Sequence, residues 1–437
     1  MRRYFVVLLS SVLVLLVLGL AATMLVRRVA FDTESLALRI GIGIVLTFLV
    51  LLIVRYFVLL WMGYLQHLES KLEPPPETEL FTPPVTIIVP AFDEEAVIQS
   101  AIRSLLELDW PQYEILVVDD GSTDATYQRA AELEGRYGGV TVRVVSKANA
   151  GKANALNTGI ALARSPFVLC MDGDSRLARD TLRAAMRHFT DSRVGAVAGN
   201  VKVVNRNNLW TKLQALEYIE GLNMARRAQG FMRVVNIIPG PVGVFRREAL
   251  TSVGGYDADT YAEDADLTLK LMTAGWHIAY EDRAIAWTEA PEQLLDLIKQ
   301  RYRWTRGILQ ALRKHARFLV APFGGGSVWV SLQAMLFEAI IWPLVNIAGN
   351  LFFVIAALSV GAASFVLYWW LLLTLLDVAA ALYTVAMEEE DLALVPYAVL
   401  YRFFFIVFID VAKLFATVEE FANVRMSWGK LERAGRI

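Results

Sequence analysis

Short unbroken apolar runs rich in valine and isoleucine recur along the first half of the chain, each followed by a stretch whose apolar residues return every three or four positions. The runs VTIIVP (85–90), EILVVDD (114–120), VRVVS (142–146) and FVLC (167–170) predict strands buried on both faces, and the intervening segments 95–108, 124–137 and 152–163 predict helices. Strand and helix in strict alternation predict an α/β fold with a mostly parallel sheet and helices on both faces. The pattern then loosens. A strand GAVAGN ends near Asn200, a long helix is expected over 210–229, and IPGPVGVFRREAL leads to a helix near 263 whose apolar residues are Leu267, Leu269, Leu271 and Met272.

On either side of this region the pattern becomes apolar throughout. Residues 4–26 carry no charge and lie between Arg2, Arg3 and Arg27, Arg28, and 40–62 form a second long apolar run, so residues 1–68 predict two transmembrane helices rather than a cleaved leader. A proline-rich linker, 69–84, separates them from a catalytic-domain candidate at 85–291. Residues 292–327 are amphipathic and basic, with Lys299, Arg301, Arg303, Arg306, Arg313, Lys314 and Arg317 opposite leucines, the pattern of a helix lying on a membrane surface. Residues 328–418 return to long apolar segments: 328–359, broken at Pro343, then 365–386 and 395–415, with the acidic MEEED loop between the last two and a basic tail at 419–437. Counting spans from a cytosolic N-terminus puts that tail outside, against the rule that basic ends stay in the cytosol; a re-entrant piece or a further short span would resolve it. Glu338, Asp377, Arg402, Asp410 and Lys413 fall in or at the ends of these segments. Such groups either line a wet route or pair with one another or with a second subunit.

Composition supports the membrane reading, since 56% of the 437 residues are hydrophobic. A net charge of -2 provides no argument for nucleic acid. The single cysteine, Cys170, lies inside an apolar strand and excludes an intrachain disulfide, and four scattered histidines offer no transition-metal spacing.

Acids cluster where the strands end. FVLCMDGDSR closes a strand with Asp172 and Asp174 on either side of a glycine, a pair able to share a hard cation that also holds a diphosphate, although an acidic turn looks the same. VVDDGSTD offers Asp119 and Asp120 ahead of a helix cap by Asp124, and VPAFDEE sets Phe92 to stack on a base with Glu94 among the acids beside it. Lys152 follows a glycine at a helix start, a place suited to phosphate. Open α/β sheets bind ligands at these strand ends, so the groups are expected to converge. In AEDAD, Asp266 fits a first-turn acid favoured by the helix dipole.

In this order VPAFDEE, VVDDGSTD, GKANALN, MDGD, GPVGVFRRE, AED and QRYRW resemble the motifs of processive membrane glycosyltransferases of family 2, the cellulose, hyaluronan, chitin and poly-N-acetylglucosamine synthase type. The layout is most similar to that of poly-β-1,6-N-acetylglucosamine synthases. The resemblance implies a GT-A nucleotide-sugar transferase domain between membrane helices, using Mg2+ or Mn2+ and a UDP-sugar, with UDP-GlcNAc preferred. It assigns Phe92, Glu94, Asp119, Asp120, Lys152, Asp172, Gln300 and Arg303 to the donor, Asp174 to the metal, Trp304 to the acceptor and Asp264 to the general base. Ala262 stands where the family usually has threonine. The implied partners are the donor, a growing polysaccharide and the lipid bilayer of the inner membrane, with the catalytic domain cytosolic and room for a small accessory subunit or a homo-oligomer. A lipid-carrier transferase and an inactive scaffold are the competing readings.

Overall fold

The computed structural model describes residues 36–72, 81–320, 326–360 and 363–424, together with Val12, Leu16 and Gly19. The rest of the expected first span, residues 73–80 of the linker and the tail beyond residue 424 lie outside the described residues.

Nine strands form one sheet: β1 (Val85–Ala91), β2 (Tyr113–Asp119), β3 (Gly135–Tyr137), β4 (Val140–Ser146), β5 (Phe167–Cys170), β6 (Ser175–Leu177), β7 (Val194–Val203), β8 (Gly243–Arg246) and β9 (His277–Thr288). Their order is β3-β4-β2-β1-β5-β8-β7-β9-β6. The half built from alternating strands and helices is parallel, as the pattern predicts: β4, β2, β1 and β5 all run one way. Beyond β5 the sheet is mixed, with β8 antiparallel to both β5 and β7, and β6 antiparallel to β9. Register sets the level of the strand ends. Ala91 pairs with Asp119 and Asp119 with Ser146, so β1, β2 and β4 stop side by side and release their loops at one edge.

Successive side chains of these strands serve opposite faces. Ile87, Val89, Ile115 and Val117 pack under the helices Ile98–Leu106 and Thr181–Met186. Ile88, Leu116, Val118 and Cys170 pack under Lys152–Leu162 and Glu263–Thr273. The helix expected over 124–137 is confined to Thr126–Ala131. Gly135, Gly138 and Gly139 break it, and β3 turns back through Gly138, at φ +64°, to pair with β4. The expected long helix runs over Leu209–Met232, capped by Asn208, whose Oδ1 accepts from the Thr211 N–H at 2.9 Å, and is widened by a π turn over Tyr218–Asn223.

Four described segments are long and apolar enough to cross a membrane: Val50–Ser70, Gly326–Phe352, Trp370–Met387 and Leu392–Phe421. Pro343 does not split the second of these. Its missing N–H and its clash with the carbonyl four residues back fall on a π turn at Phe337–Ile341, which opens the helix there. The ionisable groups of these helices find partners within the chain. Arg402 pairs with Asp377, Arg55 with Glu338, and Asn346 Nδ2 donates to Asp410 at 2.6 Å. The acidic MEEED loop is docked on the sheet domain: Glu388 accepts from Arg227 and Asn200, and Glu390 pairs with Lys202 and Arg206.

The basic helix, Leu294–Lys314, packs against other parts of the chain. It is wedged between the sheet domain and Ile406–Phe421, with Arg301 paired to Glu217, Arg306 to Glu420, and Lys314 to Asp257, Asp259 and Asp266. Protein carboxylates, not lipid headgroups, hold these cations.

Candidate active site

The loops leaving β1 and β2 are laced together before either can meet a ligand. Asp93, at φ +50°, accepts from the Thr123 N–H at 2.7 Å, and Glu95 accepts from the Ala125 N–H at 3.0 Å. Phe92, just past the end of β1, is 39% exposed. Asp119 accepts from Ser146 Oγ at 2.8 Å and from the Ser122 N–H. Asp120 accepts from Lys147 Nζ at 2.6 Å and from the N–H groups of Ala150 and Gly151, so it holds the loop that presents Lys152. Both are buried and satisfied within the chain.

The strand-end acids meet the later motifs around Lys152. Its Nζ lies 2.7 Å from Asp172 and 2.9 Å from Glu263. Burial alone would lower its pKa, but those two carboxylates outweigh it and hold the ammonium well above the usual lysine range. Asp264 follows Glu263 at the start of a helix and accepts from the Ala265 N–H at 2.8 Å. Burial first, then Glu263, raise its carboxyl to about 6, against the pull of Lys152. Asp174 is buried behind Asp172, and Gly173 between them packs on Pro90 O with Glu94 alongside. Gly240 lies so close to this group that a Cβ there would stand 2.9 Å from Asp172 and 3.1 Å from Lys152. The GPVG loop is therefore a wall of the site.

Asp172, Glu263 and Asp264 set three carboxylates about the ammonium of Lys152, and Asp174 follows Asp172 two residues on. Such an oxygen-rich, net negative group fits a hard divalent cation. Asp257, Asp259 and Asp266 also bring their oxygens close together, but Lys314 Nζ sits among them at 2.5–2.9 Å and His315 Nε2 lies 2.8 Å from Asp266. That cluster is an ion-pair network, and it gives Asp266 a larger part than a helix-dipole acid.

Gln300 is buried and accepts from Arg301, whose guanidinium lies 4.2 Å above the Trp304 ring. Tyr218, from the π turn, faces Trp304 with centroids 6.5 Å apart. Arg303 is half-buried on the same helix. The helix meets the YAED turn at Gly307, where a Cβ would come within 2.4 Å of Ala262 N and 2.5 Å of its Cβ. Gln310 Oε1 accepts from the Tyr261 N–H at 3.0 Å and fixes the same contact. The structure thus brings Lys152, Asp172 and Asp264 together, with Asp174 two residues from Asp172, and docks the QRYRW helix against the Asp264 loop. Glu263, Gly240 and Arg301 lie inside the motifs AED, GPVGVFRRE and QRYRW but carry no site role in the sequence expectations, and Tyr218 and Gly307 have no local signal.

A sheet that is parallel in its first half, with acids at the strand ends and a carboxylate-lined cleft, defines the GT-A class of nucleotide-sugar transferase folds. Residues 83–307 match the family described as "Glycosyltransferase like family 2", and the chain belongs to it. Over 224 residues, 51% of the chain, it is 33% identical to a poly-beta-1,6-N-acetyl-D-glucosamine synthase of Staphylococcus epidermidis and equally to one of Staphylococcus aureus (strain COL). The match spans 54% of each relative, about half its length. A mannosyltransferase from Pyrobaculum calidifontis, solved in complex with GDP-Man and Mn2+, shares the fold at a TM-score of 0.60 and 20% identity, covering 88% of this chain and 99% of its own.

Proposed function

We propose that the chain is an inverting, processive β-glycosyltransferase that polymerises a UDP-sugar, UDP-GlcNAc by preference, and passes the product between its membrane helices. The observation that carries this reading is the convergence of Lys152, Asp172 and the Glu263–Asp264 pair at the strand ends, beside a helix bearing Trp304. The names of the staphylococcal relatives support the choice of sugar and polymer. In this reading Phe92 stacks on the base, with Glu94 at its edge, while Asp119 and Asp120 shape the uridine pocket. Asp172 and Asp174 would hold Mg2+ or Mn2+, whose charge offsets that growing on the departing diphosphate. Lys152, Gln300 and Arg303 add donor contacts to the same end of the donor. Asp264 takes the proton of the acceptor hydroxyl, and a carboxyl raised to about 6 suits that task near neutral pH. Trp304 offers a flat face to the acceptor sugar.

The decisive experiment is a panel of sugar nucleotides given to purified protein with Mg2+ and scored for nucleotide release and polymer. UDP release and polymer from UDP-GlcNAc are expected; release from none of the panel defeats the reading. One observation favours a non-processive alternative: the Asp377–Arg402 and Arg55–Glu338 pairs satisfy charges that a polymer route could use. Sizing the radiolabelled product separates the two, because a lipid-carrier transferase makes only short products.

A further inference from the structure

Trp304 is backed by a buried ion pair. Arg301 is 2% exposed, and each of its three guanidinium nitrogens is engaged: Nε donates to Glu217 Oε1 at 3.1 Å, Nη2 to Glu217 Oε2, and Nη1 to the side-chain oxygen of Gln300. Burial works against its charge, but attraction to Glu217 outweighs that and keeps the guanidinium a cation. Attachment at two points to a planar carboxylate fixes orientation as well as place. The guanidinium carbon held in this way lies 4.2 Å from the centre of the Trp304 ring, the arrangement in which a cation is drawn to the negative face of an aromatic.

Glu217 is the last residue of the helix Leu209–Glu217, and Tyr218 opens the π turn that follows. The Tyr218 ring stands 6.5 Å from that of Trp304, centre to centre, inclined by 54°. Two adjacent residues therefore reach the indole, Tyr218 directly and Glu217 through Arg301, and π turns of this kind recur at functional sites. On the facing helix Gln300, Trp304 and Gly307 are four and three positions apart and share one side. Gly307 on that side packs against Ala262, two residues ahead of Asp264. Trp304, one turn earlier, is half-buried, so part of its surface stays accessible.

We propose that Glu217 is a positioning residue of the acceptor site: by clamping Arg301 it fixes the Trp304 ring at the angle on which an acceptor sugar stacks. The inference rests on the reading of Trp304 as the acceptor platform of a sugar transferase. A sugar lying on an indole is held by many weak dispersion contacts, which are made together only when the ring is already in place. With Arg301 unclamped the ring is free to tilt, and the cost of ordering it then falls on sugar binding.

The test is equilibrium dialysis of a radiolabelled N-acetylglucosamine oligosaccharide against the full chain in nanodiscs, with UDP and Mg2+ at saturation, so that variants without turnover are still read. Glu217→Gln keeps the shape and removes the charge. It should weaken oligosaccharide binding roughly tenfold, the effect of one lost charge-assisted hydrogen bond, and Glu217→Asp, which keeps the charge, should recover part of that loss. The decisive readout is the cycle with Trp304→Ala. Because Glu217 acts through the ring, adding Glu217→Gln to Trp304→Ala should weaken binding by less than about twofold more. Losses that multiply overturn the inference, as does wild-type binding by Glu217→Gln. Failure of both Glu217 variants to fold overturns it too, since it marks a purely structural ion pair. The parent reading fails differently: wild type itself then binds no oligosaccharide or releases UDP from no sugar nucleotide, and the inference falls with it.

Discussion

Asp264 and Glu263 are neighbours in sequence with divergent environments: one is drawn to Lys152, and the other is left with a carboxyl raised to about 6. Replacing Asp264 by Asn keeps the shape and removes the carboxylate proposed to accept the proton. Transfer should fall by about 10²- to 10⁴-fold with donor affinity retained, measured by UDP release against titrated UDP-GlcNAc. Gly307 tests the docking of the helix. Any side chain there meets Ala262 backbone and Cβ, neither of which can swing away, so Gly307→Val should cost about 1–3 kcal/mol and lower transfer as well. A drop in thermal midpoint with full activity would show that the QRYRW helix need not sit tightly on the YAED turn. Asp172 and Asp174 were legible as residues because they stand at the end of an apolar run, whereas Asp264 was reached only through the resemblance of AED to a family motif. Their partners were not legible, since Lys152 and Glu263 are separated by over a hundred positions and only the fold makes them neighbours.

At the scale of elements, the strands and helices of the parallel half were readable because burial on both faces leaves an unbroken apolar run. β3 and β6 were not, being three residues each and defined by their pairing. The partners of the basic helix were unreadable for a related reason. A row of arginines has the same pattern whether lipid phosphates or protein carboxylates face it, and Glu217 and Glu420 come from distant segments. The helix carrying Arg227 joins three of these segments through Gln66, Asp282 and Glu388. Arg227→Met strands two carboxylates in a buried place, so it should destabilise the protein by about 3–5 kcal/mol, read as loss of folded protein on heating in detergent. Glu281 supplies a pH test on another element. Burial pushes its carboxyl up, but His188, Arg187 and Arg283 outweigh this and hold it well below the usual range. A depressed folded pKa means that this stabilisation is complete above pH about 4.3, the unfolded value, and is lost as pH falls through the lower folded one. Midpoints measured below pH about 4 should therefore drop less steeply for Glu281→Gln than for wild type.

Across the whole molecule, the sheet domain and the membrane helices share one core, since Ala381, Val385, Leu394 and Ala398 belong to the same apolar cluster as β1 and β2. The MEEED loop must then lie on the same side of the bilayer as the catalytic cleft. Cysteines placed at Glu389, exposed in that loop, and at Arg136, exposed on β3, should label alike with an impermeant maleimide: both protected in intact cells and both reactive after lysis. Labelling of either in intact cells would contradict the cytosolic orientation that the resemblance implies, and a difference between them would contradict the docking of the loop. The molecule is already prepared for such work. Its one cysteine, Cys170, sits 3% exposed in β5 with a thiol pushed up to about 12 by burial, so almost none of it is the reactive thiolate at neutral pH. The unaltered chain is chemically silent to thiol reagents, and every reporter introduced by a single substitution would be read against a blank background.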